Sequence, residues 1–337
     1  SDVYKRQVHY HPPSSLEAYV QESGRAGRDG LPSASLVMLS SGDGVAVENR
    51  LRASVPDRSG VKGLLSSLAA KGEHIISLYE ASAVHDLPDV VVDRILFDLK
   101  RRGLLTERGA GYKYYKVRPL FRMEEILCGR DEEESAFLQW LDGHREGQVL
   151  DLAVECGISW EEVAARLEDL ALSGEWKVEQ RQTALLLYSG GFPVNEAVEE
   201  LMRYFTGALH HGLERWELCV SALTAEACLN RRLDEYFGFE KAGPSCGHCP
   251  ACCGTVPGKM EEEKEEPWSE ELRGAVMELA GQRKSALSRP SQMTRFLLGL
   301  ASPAAMRSRL WSHPLYGALA ERKWKDVWIE ARALMDS

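Results

Sequence analysis

No stretch of the 337-residue chain is apolar for long enough to cross a bilayer, and it opens on no recognisable secretory leader. A membrane partner and an exported fold are therefore both unexpected, and a cytoplasmic setting is expected. Basic charge is in short supply: 41 Lys and Arg stand against 51 Asp and Glu, a formal net charge of −10. That argues against a surface that is one large nucleic-acid footprint, although local clusters can still bind, because affinity follows where cations gather. Four of the eight cysteines fall in one short stretch with metal-ligand spacing, which favours a metal site over the disulfide framework that eight cysteines might suggest in a secreted protein. Also lacking is any GxxxxGK[ST] string, so this polypeptide by itself is not expected to hydrolyse a nucleoside triphosphate. What is present is ordinary for a folded protein, 44% hydrophobic and 27% charged, at a length that fits two to four small domains.

The chain has no initiator Met, and Ser1 to Gln7 (SDVYKRQ) looks like the translated end of a transposon used to fragment DNA. Residues 1–7 are set aside, and the rest is expected to begin in mid-domain. Residues 8–50 read as a short helix, a Gly/Arg-rich turn and an apolar strand at Ser35 to Leu39. Nothing nearby offers that strand a sheet, so its neighbours are expected to be missing. Residues 60–118 read as a helix from Gly60, then a helix start at Asp86-Leu87-Pro88. Apolar Val90, Val91, Ile95, Leu96 and Leu99 follow at helical spacing, with a stop at Gly103. A hairpin is expected to turn at Arg108-Gly109-Ala110-Gly111. Residues 131–190 repeat the pattern, with a capping box at Ser159 and Glu162, a stop at Gly174, and Trp176 to Glu179 pairing with Leu185 to Tyr188. Helix, helix, hairpin is a winged-helix order. Residues 195–254 are helical and lead into the cysteines. Residues 255–271 form an acidic, solvated linker, and residues 272–337 a small helical bundle with Leu297, Leu298, Leu300, Leu310 and Trp311 as core candidates.

Three elements carry chemistry. Within Gln21 to Gly30 (QESGRAGRDG), Arg25 and Arg28 lie three apart among glycines. Their forked, permanent charges suit phosphate, and the glycines permit tight turns. An exposed turn or a simple phosphate-cradling loop would use the same residues. Cys228 followed by Cys246, Cys249 and Cys252 can supply four thiolates to one tetrahedral ion, for which Zn²⁺ is the natural occupant. An iron–sulfur cluster is the rival, and His248 or Cys253 could replace one ligand. Cys128, Cys156 and Cys219 read as buried small side chains. Finally, basic residues around 94–118 mix with tyrosines. Arg101, Arg102, Lys113, Tyr114 and Lys116 are the candidate DNA contacts, through phosphate pairing and base stacking. A solvated face with core-packing tyrosines fits the same residues.

His9-Tyr10-His11-Pro12-Pro13-Ser14-Ser15-Leu16-Glu17-Ala18-Tyr19, running into the Gln21–Gly30 string and Leu31-Pro32-Ser33, resembles motif VI of RecQ-type DNA helicases and its lead-in. Asn230-Arg231-Arg232-Leu233-Asp234-Glu235-Tyr236-Phe237-Gly238 resembles the helix that supplies the first zinc ligand in that family. His11 departs from the family, which usually has an acid there. The order also departs, because winged-helix-like units precede the cysteines. The acidic linker and final helices look closer to the vertebrate RecQ-like helicase type four. The resemblance implies a mixed, mainly α fold. It would comprise the end of a RecA-like α/β lobe, tandem winged-helix-like α+β modules, a helical zinc module and a C-terminal helical bundle. It implies that Arg28 is an arginine finger on ATP held with Mg²⁺ mainly by a preceding lobe, that Arg25 supports it, and that Gln21 couples nucleotide to DNA. The implied activity is 3′-to-5′ DNA unwinding in recombination, repair or replication, with single strands and duplex junctions as substrates. Protein partners are expected through the linker and C-terminal segment. No DExH box is present, so the chain alone is expected to be inactive. The alternative is a non-catalytic, zinc-containing winged-helix DNA-binding protein.

Overall fold

The computed structural model describes residues 6–27, 30–239, 245–255, 267–282 and 285–336. In chain order the elements are β1 (Arg6–His9), α1 (Leu16–Ser23), β2 (Ala34–Val37), α2 (Ser41–Ala53), α3 (Arg58–Leu68), β3 (Gly72–Ile76), α4 (Leu78–His85), α5 (Asp89–Arg101) and β4 (Leu105–Pro119). There follow α6 (Met123–Ile126), α7 (Glu132–Gly143), β5 (Glu146–Gln148), α8 (Val149–Cys156), α9 (Trp160–Ser173), β6 (Trp176–Ser189), α10 (Val194–Leu223) and α11 (Leu229–Tyr236). Last come α12 (Pro250–Cys253), α13 (Glu270–Gln282), α14 (Pro290–Leu297), α15 (Pro303–Arg307), a 3-10 turn (Leu310–Ser312) and α16 (Trp324–Asp336). The chain divides into two compact units, residues 57–201 and the combination of residues before 57 with those after 201.

The unit 57–201 is built twice over from one plan: helix, short strand, two helices, long strand. In α5 four of the five expected apolar positions, Val91, Ile95, Leu96 and Leu99, are buried, but Val90 is 74% exposed and Val92 takes the inward place beside Val91. Gly103, at φ +71°, ends that helix in the left-handed region that a side chain rarely adopts. Ser159 Oγ accepts the Glu162 N–H at 3.1 Å to start α9, and Gly174 at φ +73° stops it. Phe137, Leu138, Leu141, Leu152, Val163 and Leu167 pack with Trp160 and Trp176 into the core of the second repeat.

The expected hairpins do not form. β4 runs straight through Arg108–Gly111 with one register shift between Glu107 and Gly109, and β6 runs unbroken from Trp176 to Ser189. The two long strands pair antiparallel with each other, from Leu105 opposite Ser189 to Pro119 opposite Trp176. Gly111 is there for packing instead of turning. A Cβ on Gly111 would lie 2.6 Å from the Trp160 ring, closer than any real contact. The short strands cross over too. β3 pairs with the far end of β6 and β5 with β4, giving the order β3-β6-β4-β5. Each repeat therefore completes the sheet of the other. The strand β3 and the helix α4 are further elements that sequence periodicity did not separate.

In the other unit the Ala34–Val37 strand has a partner after all: β1 runs parallel to it, with His9 opposite Val37. Two residues of the stretch set aside at the start, Arg6 and Gln7, belong to that strand. Gly212 of α10 faces Leu51 of α2, where a Cβ would meet the leucine at 2.9 Å. The C-terminal helices have their own core of Val276, Leu287, Phe296, Leu297, Leu310 and Val327. It docks on α2 through polar clamps. The Asn49 amide donates to Arg322 O (2.8 Å) and accepts from Trp324 N–H (2.7 Å), and the buried Arg295 guanidinium donates to Val55 O at 2.8 Å. Two expectations fail here. Trp268, assigned to a solvated linker, is buried in this core. Trp311, assigned to the core, is 54% exposed, because the adjacent Leu310 takes the inward position. Residues 256–266 of the acidic linker lie outside the described residues.

Candidate functional site

The Gly/Arg turn grows out of α1. Ser15 Oγ caps that helix by accepting the Ala18 N–H at 3.2 Å. The buried His9 holds it to the strands, with Nδ1 3.0 Å from Glu22 Oε2 and Nε2 3.0 Å from Ser35 Oγ. His11 sits 2.7 Å from a carboxylate oxygen of buried Asp43, whose other oxygen accepts the Ser40 N–H at 2.7 Å. After Ser23 the chain turns through Arg25 N–H to Glu22 O and Ala26 N–H to Ser23 O. Gly27 then takes φ +71°, and a Cβ there would strike Ser33 Oγ at 2.5 Å. Two independent constraints thus require glycine at 27. Gln21 and Arg25 are both exposed at this end of the helix. Arg28 lies outside the described residues, as does Asp29.

The cysteines converge. The Sγ atoms of Cys228, Cys246, Cys249 and Cys252 all lie within 4.8 Å of one another. A tetrahedral ion with metal–sulfur bonds of about 2.3 Å needs sulfurs a little under 4 Å apart, so only slight adjustment is required. Cys228 stands at the start of α11 and Cys249 at the start of α12. The Cys246 N–H donates to Cys228 Sγ at 3.3 Å, and chiefly through that bond the Cys228 thiol is drawn below its ordinary value. The rival ligands stand apart from the set. His248 turns its Nδ1 to Cys246 O at 2.7 Å, and exposed Cys253 faces Gly247 O. Of the cysteines expected to be buried, Cys219 is, Cys156 is partly so, and Cys128 is exposed.

The turn and the cysteines share one framework. Leu16 and Tyr19 of α1 pack with Cys219 and Ala222 of α10 and with Leu229 and Leu233 of α11. On the rim, Glu17 accepts from the Tyr236 hydroxyl at 2.6 Å and from Arg215 at 3.2 Å. The Tyr236 hydroxyl, then Ser15, hold the Glu17 carboxyl at about 2, well below its ordinary value. Burial pushes the Tyr19 phenol up. Sequence reasoning did not find Glu17, Arg215 or the role of Tyr236. No local spacing connects positions some two hundred residues apart.

The five candidate DNA contacts all lie in the 57–201 unit, and each has an acidic partner. Arg101 reaches Asp98 at 2.8 Å, Arg102 pairs with Asp98 and Glu200, Lys113 pairs with Glu80, and Lys116 reaches Glu146 at 2.8 Å. The Tyr114 hydroxyl donates to Glu80 at 3.1 Å. The two arginines end α5 while the other three ride on β4. Tyr115 is buried, its hydroxyl on His144 O at 2.9 Å, and takes no part in the surface.

These features define the chain's class only coarsely: a mixed, mostly helical protein with a four-cysteine cluster able to hold a metal ion and partial sequence similarity to RecQ-type DNA helicases. The chain is 42% identical over 59 residues to the RecQ-like DNA helicase blm-1 of Caenorhabditis elegans, covering 18% of this chain and 6% of that protein. It is 53% identical over 36 residues to the probable ATP-dependent DNA helicase RecS of Bacillus subtilis, covering 11% of this chain and 7% of that one. The matched stretches thus span under a tenth of the length of either relative. No family model matches the chain. No helix among the described residues is long and apolar enough to cross a membrane.

Proposed function

We propose that this chain is the carboxy-terminal part of a RecQ-type, 3′-to-5′ ATP-dependent DNA helicase acting in recombination, repair or replication. The observation that carries the reading is the Gln21–Gly30 string, launched from a helix that shares its packing with the four-cysteine module. In this reading Arg28 is the finger on the γ-phosphate, Arg25 supports it and Gln21 relays the nucleotide state. ATP and Mg²⁺ are held mainly by a lobe outside this sequence. Zn²⁺ on Cys228, Cys246, Cys249 and Cys252 serves as a structural brace. The two repeats of residues 57–201 act as winged helices whose wings have opened and paired with each other. DNA phosphates there compete with Asp98, Glu80 and Glu146 for Arg101, Arg102, Lys113 and Lys116, while Tyr114 offers a stacking face.

In the complete enzyme, Arg28→Ala is expected to lower ATP turnover by about 10³–10⁵-fold while DNA binding stays largely intact. Near-normal turnover refutes the assignment. The rival reading, a non-catalytic zinc-containing DNA-binding protein, draws on the missing GxxxxGK[ST] and DExH strings. Reading the genomic DNA upstream of Val8 separates the two. An open frame encoding both strings supports the helicase, and a stop codon with a start site near Val8 supports the rival.

A further inference from the structure

The C-terminal bundle carries charge of a different kind from the rest of the chain. From Leu279 to Ala320 there is no Asp or Glu but six Lys and Arg, in a protein whose net charge is −10. One of the six, Arg295, is buried and spends its donors on backbone carbonyls. Arg307 and Arg309, by contrast, are exposed. Among the described residues neither guanidinium meets a carboxylate, and Arg307 Nε makes only a long bond to Pro303 O, at 3.4 Å. Two positions beyond Arg309 stands Trp311, 54% exposed, and Met306 nearby is 47% exposed.

Local hydrogen bonds define the backbone of this surface. Ser302 caps α15 by accepting the Ala305 N–H at 3.2 Å, and Ala305 and Leu310 are buried on either side of the arginines. The Arg309 carbonyl accepts the Ser312 hydroxyl at 3.0 Å. Arg309 itself sits at φ +54°, left-handed backbone that disfavours a side chain and that the surrounding bonds impose. Two exposed arginines without acidic partners among the described residues and one exposed indole thus fall within a single five-residue stretch.

We infer that Arg307, Arg309 and Trp311 form a contact for single-stranded nucleic acid, with the guanidiniums on successive phosphates and the indole stacked on a base. Arginine forks suit phosphate oxygens, and an exposed aromatic face accepts any base without regard to sequence. An acidic peptide would satisfy the arginines but would leave the indole without a role, so nucleic acid fits better. The inference deepens the proposed action on DNA by adding a strand contact on the C-terminal bundle, and it rests on that reading.

The test is fluorescence anisotropy of a labelled oligothymidylate with the full chain. The variants are Arg307→Ala with Arg309→Ala, Trp311→Ala, Trp311→Phe, and Arg101→Ala with Arg102→Ala. The arginine pair is expected to weaken binding about tenfold and to lower the magnitude of the log–log salt slope by about 1.4, at roughly 0.7 per single-strand phosphate contact. Trp311→Ala is expected to cost about 5–150-fold, and Trp311→Phe to recover most of it. Unchanged melting of these surface variants confirms that the fold is retained. If wild type binds and the 307, 309 and 311 variants bind equally well, the inference is overturned while the DNA-acting proposal stands. If wild type does not bind the oligonucleotide, both fall. Binding of polyglutamate in its place overturns the inference in favour of an acidic protein partner.

Discussion

Helices α5 and α11 show two ways of holding a short helix in place. α5 buries five of its thirteen residues, all aliphatic, and is fixed by a core. α11 buries none of its eight residues. Its Leu229 and Leu233 are only partly covered by the patch around Cys219, and its start is the cysteine that joins the metal-binding set. The first is secured by apolar area, worth about 25 cal/mol per Å². In the proposed reading the second depends on coordination, which in small zinc modules supplies about 10–16 kcal/mol to folding. There, four thiolates on one ion would stand in for a core.

The contrast can be broken most severely at the metal. Cys249→Ser, or exhaustive chelation, is expected to reduce bound zinc from about one per chain to none by elemental analysis and to unfold residues 228–254 locally. Hydrogen exchange in 57–201 should stay as it was. A protein purified with no metal and a protected α11 would show that the cluster is not what holds it. Next in size is the packing of the sheet unit. Gly111→Ala drives a methyl into Trp160 and is expected to cost about 1–3 kcal/mol, read as a lower denaturation midpoint with metal content unchanged. The smallest effect concerns the rim bond from Tyr236 to Glu17. A carboxylate held at about 2 in the fold and near 4.5 free contributes stability that is full above the higher value and is lost as pH falls toward the lower one. Tyr236→Phe is therefore expected to cost under about 1 kcal/mol at neutral pH, because Glu17 is half exposed. It should also flatten the acid limb of the stability curve between those two values. An unaltered acid limb would remove Tyr236 from the account.

Much of this arrangement is legible in the sequence where the information is local. The α5 stripe, the stops at Gly103 and Gly174, the Ser159 cap and the cysteine spacing are short-range patterns, and each has its expected place in the fold except that Val92, not Val90, joins the buried stripe. The long strands are not legible in that way. Gly109-Ala110-Gly111 reads as a turn because glycine most often serves turns, and only the distant Trp160 reveals that Gly111 makes room for a ring. Trp268 and Trp311 exchange places for a similar reason. Hydrophobicity says that each could be buried, but which one is depends on the tertiary neighbours of Leu310 and Val327. The link from Glu17 to Tyr236 and Arg215 is legible from no window of the sequence, since it is created by the folding of segments far apart in the chain.

The crossed pairing of β3 with β6 and β5 with β4 has a consequence for how the molecule comes into being. Neither repeat can close its sheet until the last strand, Trp176–Ser189, is available, so the first repeat must wait on the ribosome for most of the unit to be made. Pairings between such distant segments are slow to form. A chain interrupted before β6 exposes the long edge of β4, which is open to pairing with the same strand of another copy. The two repeats are in effect a fused, reciprocally swapped pair. They are best treated as one indivisible domain when the protein is shortened for study.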